Sequence, residues 1–422
     1  MFGPGVDRRE FLKAALAIGG TGALGACVER QGTVDVPRGD PSALPDRQFA
    51  WNDALPTGPH GNVKLPNHQL LLFLDYVGEG PATGADREQV AAAMETLEAA
   101  YQYGTGDAFN PTTTRGLLTM LAYSPSYYDR YEGSFPTGVS VPRPETVVDE
   151  LGEDARADTF DALLVLTSDE VQVLLAAEQA LRGRLDTLNG VDVAATFEGV
   201  FDVVDRRTGF LGVGRPAAEF DAPVSENSPT AMGYRSGFKD NQATERTVAV
   251  DFGPLADATT MQVSRLTFDL DSWYEYSEPE RVHRMFSPAH TPTEVGEIGE
   301  HLGGRSRITR ETAKRTDEDA REHDLVGHTQ KVARARDQNF EPTILRRSEG
   351  VSTDLAQPSM NFVSVQRRME RFLEVRRKMN GADLETDLPE ENNGILGFID
   401  VTRRATFLVP PREHRALPPP TP

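Results

Sequence analysis

The run HQLLLFLDYVG, His68 to Gly78, is almost continuously apolar yet too short to span a bilayer, and it predicts a buried β-strand. The next segments constrain the fold further. In DREQVAAAMETLEAAYQYG, Val90, Met94, Leu97 and Tyr101 recur at helical spacing and share one face. RGLLTMLAYS is strand-like again. DALLVLTSDEVQVLLAAEQALRGRL predicts a strand from Ala162 to Thr167, with Ser168 or Asp169 capping a helix.

Strand, helix, strand, strand, helix is the order of a ferredoxin-like α+β unit. A second round starts near Thr247. TVAVDFG and MQVSRLTFDLDSWYEYS read as strands, and DEDAREHD as a solvated helix. MNFVSVQRRMERFLEVRRKMN passes from strand into a helix with Met369, Phe372 and Leu373 on one side, and ILGFIDVTRRATFLVPP alternates as a closing strand. The expectation is an α+β chain of two ferredoxin-like halves, 61–225 and 226–412, in the manner of a dimeric α+β barrel. The Pro-, Gly- and Asp-rich 28–60 reads as a linker, and 413–422, containing ALPPPTP, as a disordered tail.

The first 27 residues read as an export signal. Arg8-Arg9 precede Phe11-Leu12-Lys13 and a short apolar run that ends in Leu24-Gly25-Ala26-Cys27. The paired arginines resemble a twin-arginine signal, and Leu-Gly-Ala-Cys a lipoprotein box in which Cys27 is lipidated. These two features lead to the expectation of a cell-surface protein tethered to the membrane by a lipid on Cys27, and no later segment is apolar enough to span a membrane. With a single cysteine, an intramolecular disulfide is excluded.

Charge narrows the partners. Asp and Glu number 65 against 44 Lys and Arg, a formal charge of -21, which argues against nucleic acid. Lysine is confined to Lys13, Lys64, Lys239, Lys314, Lys331 and Lys378, and the remaining basic residues are arginine. Such an acidic, arginine-rich surface suits a halophilic protein, because concentrated salt screens the repulsion.

The eight histidines form neither H-E-x-x-H nor a Cys-His set, so no zinc site is supported. C-x-x-C-H, G-x-S-x-G and the P-loop are also missing. His328, in GHTQKVAR, remains as a lone ligand candidate, and one imidazole suffices when a macrocycle supplies the other donors. SGFKDN puts Asp240 on a tight turn, and ILRRSEG carries Arg346 and Arg347.

In this order, GFKDN, GHTQKVAR and ILRRSEG, with the Phe-Val-Ser-Val-Gln-Arg stretch and the closing GFIDVTRRATFLVPP, resemble the dye-decolorizing peroxidase family over about Gln69 to Pro411. The resemblance implies a non-covalent haem b in the C-terminal half, with His328 as axial ligand to the iron, and Asp240 and Arg346 as the catalytic pair on the peroxide side. Arg346 and Arg347 would contribute to cofactor binding, with Arg347 expected to pair with a carboxylate or a haem propionate rather than with the peroxide. The family's second motif glycine is Asn241 here, a residue that tolerates the left-handed region. Its usual carboxylate partner for the ligand histidine would fall at Glu391 or Asn393. Implied partners are hydrogen peroxide and an organic electron donor, and a homo-oligomer is allowed. Trp273, Tyr274 and Tyr276 could relay electrons or simply pack, and His323 is expected to be solvated. A haem-binding or haem-iron-handling surface lipoprotein, without efficient peroxide turnover, is the alternative.

Overall fold

Eight strands of useful length occur in the computed structural model, which describes residues 36–105, 112–131, 135–136, 138–352 and 354–421. Arg8, Arg9 and Cys27 lie outside the described residues. The first four strands are β1 (His68–Tyr76), β2 (Leu118–Tyr123), β3 (Ala162–Ser168) and β4 (Phe201–Phe210). The second four are β5 (Thr259–Phe268), β6 (Leu345–Ser352), β7 (Ser359–Gln366) and β8 (Ile399–Val409).

Each set forms an antiparallel sheet, in the order β2-β3-β1-β4 and β6-β7-β5-β8. Both orders put the second, third, first and fourth strands of the half side by side, which is the ferredoxin-like arrangement expected. The repeat is therefore carried by topology. The sheets meet at Phe210 opposite Val351 and at Leu408 opposite Tyr123, closing a barrel.

Alternation along β1 explains the burial of both its faces. Leu70, Leu72 and Leu74 pack on the crossover helices α1 (Gly84–Ala100) and α2 (Val171–Leu181). Leu71 and Phe73 point the other way, into a core shared with Met261, Val363 and Phe407 of the second sheet. A capping box of Thr83 and Asp86 starts α1.

Several local expectations are corrected. The stretch expected to be a linker is packed from Val36 onward, and Phe49 and Trp51 lie fully buried in the core between the sheets. A buried phenylalanine contributes about 1.5–3 kcal/mol, and Val36, Trp51 and Leu55, also buried, add to it along the same segment. At the other end Leu417 is fully buried, and its N–H donates to the Tyr123 hydroxyl (2.9 Å). The N-cap of α2 is Glu170, while Asp169 accepts from the N–H groups of Asn67 and Thr114. TVAVDFG is not a strand, since Glu245–Val248 forms a helical turn capped by Thr244. The strand β5 stops at Phe268, because Asp269 caps a short helix, Leu270–Glu275, that carries Trp273 and Tyr274.

The halves differ in one crossover. Between β5 and β6 the chain runs through a series of short helices from Leu270, ending in α3 (His328–Ala333). Between β7 and β8 it forms a single α-helix, α4 (Met369–Asn380), followed by two 3-10 turns. The long insertion and α4 wall off a space against the outer face of the second sheet.

Candidate functional site

That space is a cavity of ≈ 220 Å³. Leu266 and Phe268 of β5, Val351 of β6, and Met360 and Phe362 of β7 form its sheet side. Val332 of α3, Val375 and Met379 of α4, and Phe238, Phe286 and Ile395 from loops close the rest. Its charged residues are Arg235, Arg336, Arg346, Arg376 and Glu349, so an acidic protein has an electropositive cavity.

His328, the first residue of α3, lines it. Two glycines allow that placement. A Cβ on Gly327 would lie 1.9 Å from the Phe286 carbonyl oxygen, so the chain can pass there only as glycine. Gly394, at φ +70, would bring a Cβ to 2.9 Å from the His328 nitrogen. The imidazole makes no hydrogen bond to any described residue, and what it exposes opens on the cavity. Burial, aided by the cations Lys331, Arg346 and Arg376, pushes it down to about 3. At neutral pH the ring is uncharged and able to donate a lone pair to a metal.

Strand β6 supplies Arg346 and Glu349 through a bulge. Arg346 faces Ser364 and Ser348 faces Val363, leaving Arg347 as the extra residue; Glu349 then faces Phe362. Partners two apart lie on one face, so Arg346 and Glu349 both reach the cavity although they are three residues apart. Arg346 Nη1 donates to Glu349 Oε1 (2.7 Å), and Ser236 Oγ donates to Glu349 Oε2 (2.6 Å). The Arg346 N–H is held by Gln242 Oε1 (3.0 Å).

Arg347 points away from the cavity, so of the two partners expected for it the carboxylate is present, as Glu245, and a role in cofactor binding is not supported. The bulge turns it into the core between the sheets, where it donates to the Phe49 carbonyl (2.6 Å), Asn52 Oδ1 (2.9 Å) and Glu245. It is not placed to meet a cofactor.

Asp240 is also outside. Its neighbours Phe238 and Asn241 line the cavity, but residues 239–241 form a single 3-10 turn pinned by the bond from the Asp240 N–H to the Gly304 carbonyl (2.9 Å). That turn directs the carboxylate, 50% exposed, toward Arg305 Nε at 3.7 Å. Arg336 spans the turn from the cavity side, donating to the Asp240 carbonyl (3.0 Å) and to Asn241 Oδ1 (2.8 Å).

Neither Glu391 nor Asn393 partners the His328 ring. Glu391 is exposed, and only its backbone carbonyl is engaged, by Arg284 Nε (2.7 Å). Asn393 instead accepts from Lys331, which is fully buried and donates to the Asn393 carbonyl (2.7 Å) and Oδ1. Sequence reasoning missed Lys331 and Glu349, although both lay inside the motifs that drew attention to His328 and Arg346.

Among the other histidines, His290 is tied to Ser287 Oγ (2.9 Å) and the Ser306 carbonyl (3.1 Å), and His323 is exposed. Trp273 Nε1 donates to the Met232 carbonyl (3.1 Å) and the Tyr274 hydroxyl to that of Ala231 (2.9 Å), just behind the cavity wall, while Tyr276 meets Phe398 edge-on. Among the described residues no cluster of three or more His, Cys, Asp or Glu could hold a metal ion. A metal at His328 would need most of its donors from elsewhere.

The fold has solved counterparts. A dye-decolorizing protein from V. cholerae superposes with a TM-score of 0.53 at 15% identity, over 86% of this chain and 98% of that one. The encapsulated DyP-type peroxidase from Mycobacterium smegmatis gives 0.55 at 15% identity, over 87% and 100%. A Rhodococcus jostii DypB variant solved in complex with haem gives 0.50 at 15% identity, over 84% and 96%. No curated protein matches the sequence. The α+β fold is thus that of the DyP-type proteins. By sequence, with a family model matching residues 66–411, the chain belongs to a family of unknown function, DUF7405.

Proposed function

We propose that this protein is a haem-dependent peroxidase that reduces hydrogen peroxide at the expense of an organic donor. The observation that carries the reading is an imidazole and a guanidinium, His328 and Arg346, lining one cavity whose walls are mostly apolar. The residues fit haem. A flat apolar macrocycle would suit the Phe, Leu, Ile and Met walls, Arg235, Arg336 or Arg376 would meet its carboxylates, and His328 would offer a nitrogen to its iron. Haem bound there would supply the redox chemistry of peroxide reduction.

The chain's own groups do the rest. The apolar walls exclude water, which strengthens every charge interaction inside. Arg346 stabilises the negative charge that grows on peroxide oxygen as the O–O bond breaks, and Glu349 fixes the direction of its guanidinium. A protein that merely carried haem would need no such aimed cation. The DyP-type fold and the haem-bound Rhodococcus variant support the reading.

The test uses purified protein loaded with haem. His328→Ala should lose the Soret band. Arg346→Leu should keep that band while peroxide-dependent oxidation of a dye donor falls by about 10²-fold or more. A wild type that binds no haem, or an Arg346→Leu variant with full turnover, overturns the proposal. In the second case turnover does not depend on Arg346, whereas a wild type that binds haem without oxidising the donor makes haem binding without catalysis the better reading.

A further inference from the structure

We infer that Glu349, and not the turn aspartate Asp240, is the carboxylate that moves the peroxide proton. The inference rests on the peroxidase reading and adds the proton acceptor that reading lacks. Arginine stays protonated at any working pH, so Arg346 cannot be the base. His328 is assigned to the iron. A general base has to lie within hydrogen-bond reach of the proton it takes. Among the residues lining the cavity Glu349 is the one carboxylate, and Asp240 is turned out toward Arg305.

Glu349 is also built in. Its side chain is 12% exposed, and it is held at both oxygens, by Arg346 at 2.7 Å and Ser236 at 2.6 Å. A carboxylate oxygen has two lone pairs, so each retains capacity for one further donor. The bulge at Arg347 places acceptor and cation side by side, so both can act on one peroxide molecule. Glu349 takes the proton from one peroxide oxygen and passes it to the other, which leaves as water with the electron pair of the O–O bond. The remaining oxygen leaves as a second water after the donor has supplied two electrons and the solvent two protons.

A mere counter-ion for Arg346 would have the same geometry, so the test must separate the two roles. Glu349→Gln keeps an oxygen for Arg346 and a polar group for Ser236 but cannot accept a proton. Cyanide binding to the haem-loaded ferric protein provides a readout independent of turnover, since hydrogen cyanide must lose its proton to bind. Followed by the shift of the Soret band near neutral pH, cyanide association should slow by about 10²-fold or more in Glu349→Gln. Asp240→Asn should bind at the wild-type rate. Glu349→Asp, which retains a carboxylate, should recover part of the rate, and it provides the comparison if the glutamine variant loads haem poorly. Equal rates in wild type and Glu349→Gln, a slow Asp240→Asn, or a Glu349→Asp no faster than Glu349→Gln overturn this inference while leaving haem binding intact. A wild type that takes up no haem removes the peroxidase reading and this inference together.

Discussion

Lys331 donates its ammonium to the carbonyl oxygen and Oδ1 of Asn393, and no carboxylate among the described residues pairs with this fully buried cation. Burial, reinforced by Arg376 and Arg334, pushes it down to about 7. An unfolded lysine keeps its proton to about pH 10.4. Between these values the unfolded chain binds more protons, so stability rises with pH from about 7 toward 10 and the full cost is felt below 7. The contribution has a limiting slope of about 1.4 kcal/mol per pH unit. Lys331→Met should remove it. Urea unfolding of the haem-free protein at several values from pH 7 to 10 measures the difference between the two proteins, and parallel curves would show that Lys331 is not the origin.

His328 leads to the opposite kind of expectation, a flat profile. Because burial keeps its imidazole neutral to about pH 3, no proton has to leave before the ring can bind iron. Haem affinity, titrated through the Soret band, should change by less than about tenfold between pH 8 and pH 5. An ordinary histidine, near 6.5, would lose about 30-fold by pH 5. A tenfold loss for each unit below 6.5 would mean that the ring is hydrated and not shielded as described.

How far the sequence could be read depends on whether the determinant is local. Leu70 through Leu74 alternate between two cores, and that pattern is visible in β1 alone. The helices α1 and α4 show it equally in their spacing. His328 and Arg346 stand out because short motifs surround them. The bulge at Arg347 was not legible, since it exists only in the register between β6 and β7. That one extra residue sends Arg347 to the core and brings Glu349 to the cavity. Asp240 was misplaced for a similar reason: its direction is fixed by Gly304 and Arg305, more than sixty residues away. In Asp269–Glu275 a single cap outweighed the strand preference of Trp273 and Tyr274. Phe49 and Trp51 were a signal in plain view, two aromatic residues in a segment too polar to need them.

Arg346 and Arg347 are adjacent, and substitution should separate them by kind of damage. The Arg347 side chain is 1% exposed and pairs with a Glu245 carboxylate that also accepts from the Asn52 N–H (2.8 Å). Arg347→Leu would leave that carboxylate, 16% exposed, without its cation and the Phe49 carbonyl in the core without its donor. Breaking a fully buried pair from one side typically costs about 3–5 kcal/mol, and the partial exposure of Glu245 puts the expected loss toward the low end of that range. Arg346→Leu leaves Glu349 with Ser236 and with access to the cavity, and the Arg346 side chain is 19% exposed where that of Arg347 is 1%, so its loss of stability should be smaller. In urea unfolding the midpoint should therefore fall far more for Arg347→Leu than for Arg346→Leu, whereas slowed peroxide turnover should follow Arg346. Removing both charges, in Arg347→Leu with Glu245→Leu, should recover part of the lost stability, since replacing both partners abolishes the unpaired charge. Equal midpoints for the two single variants would contradict the placement of Arg347 in the core and, with it, the bulge that brings Glu349 to the cavity.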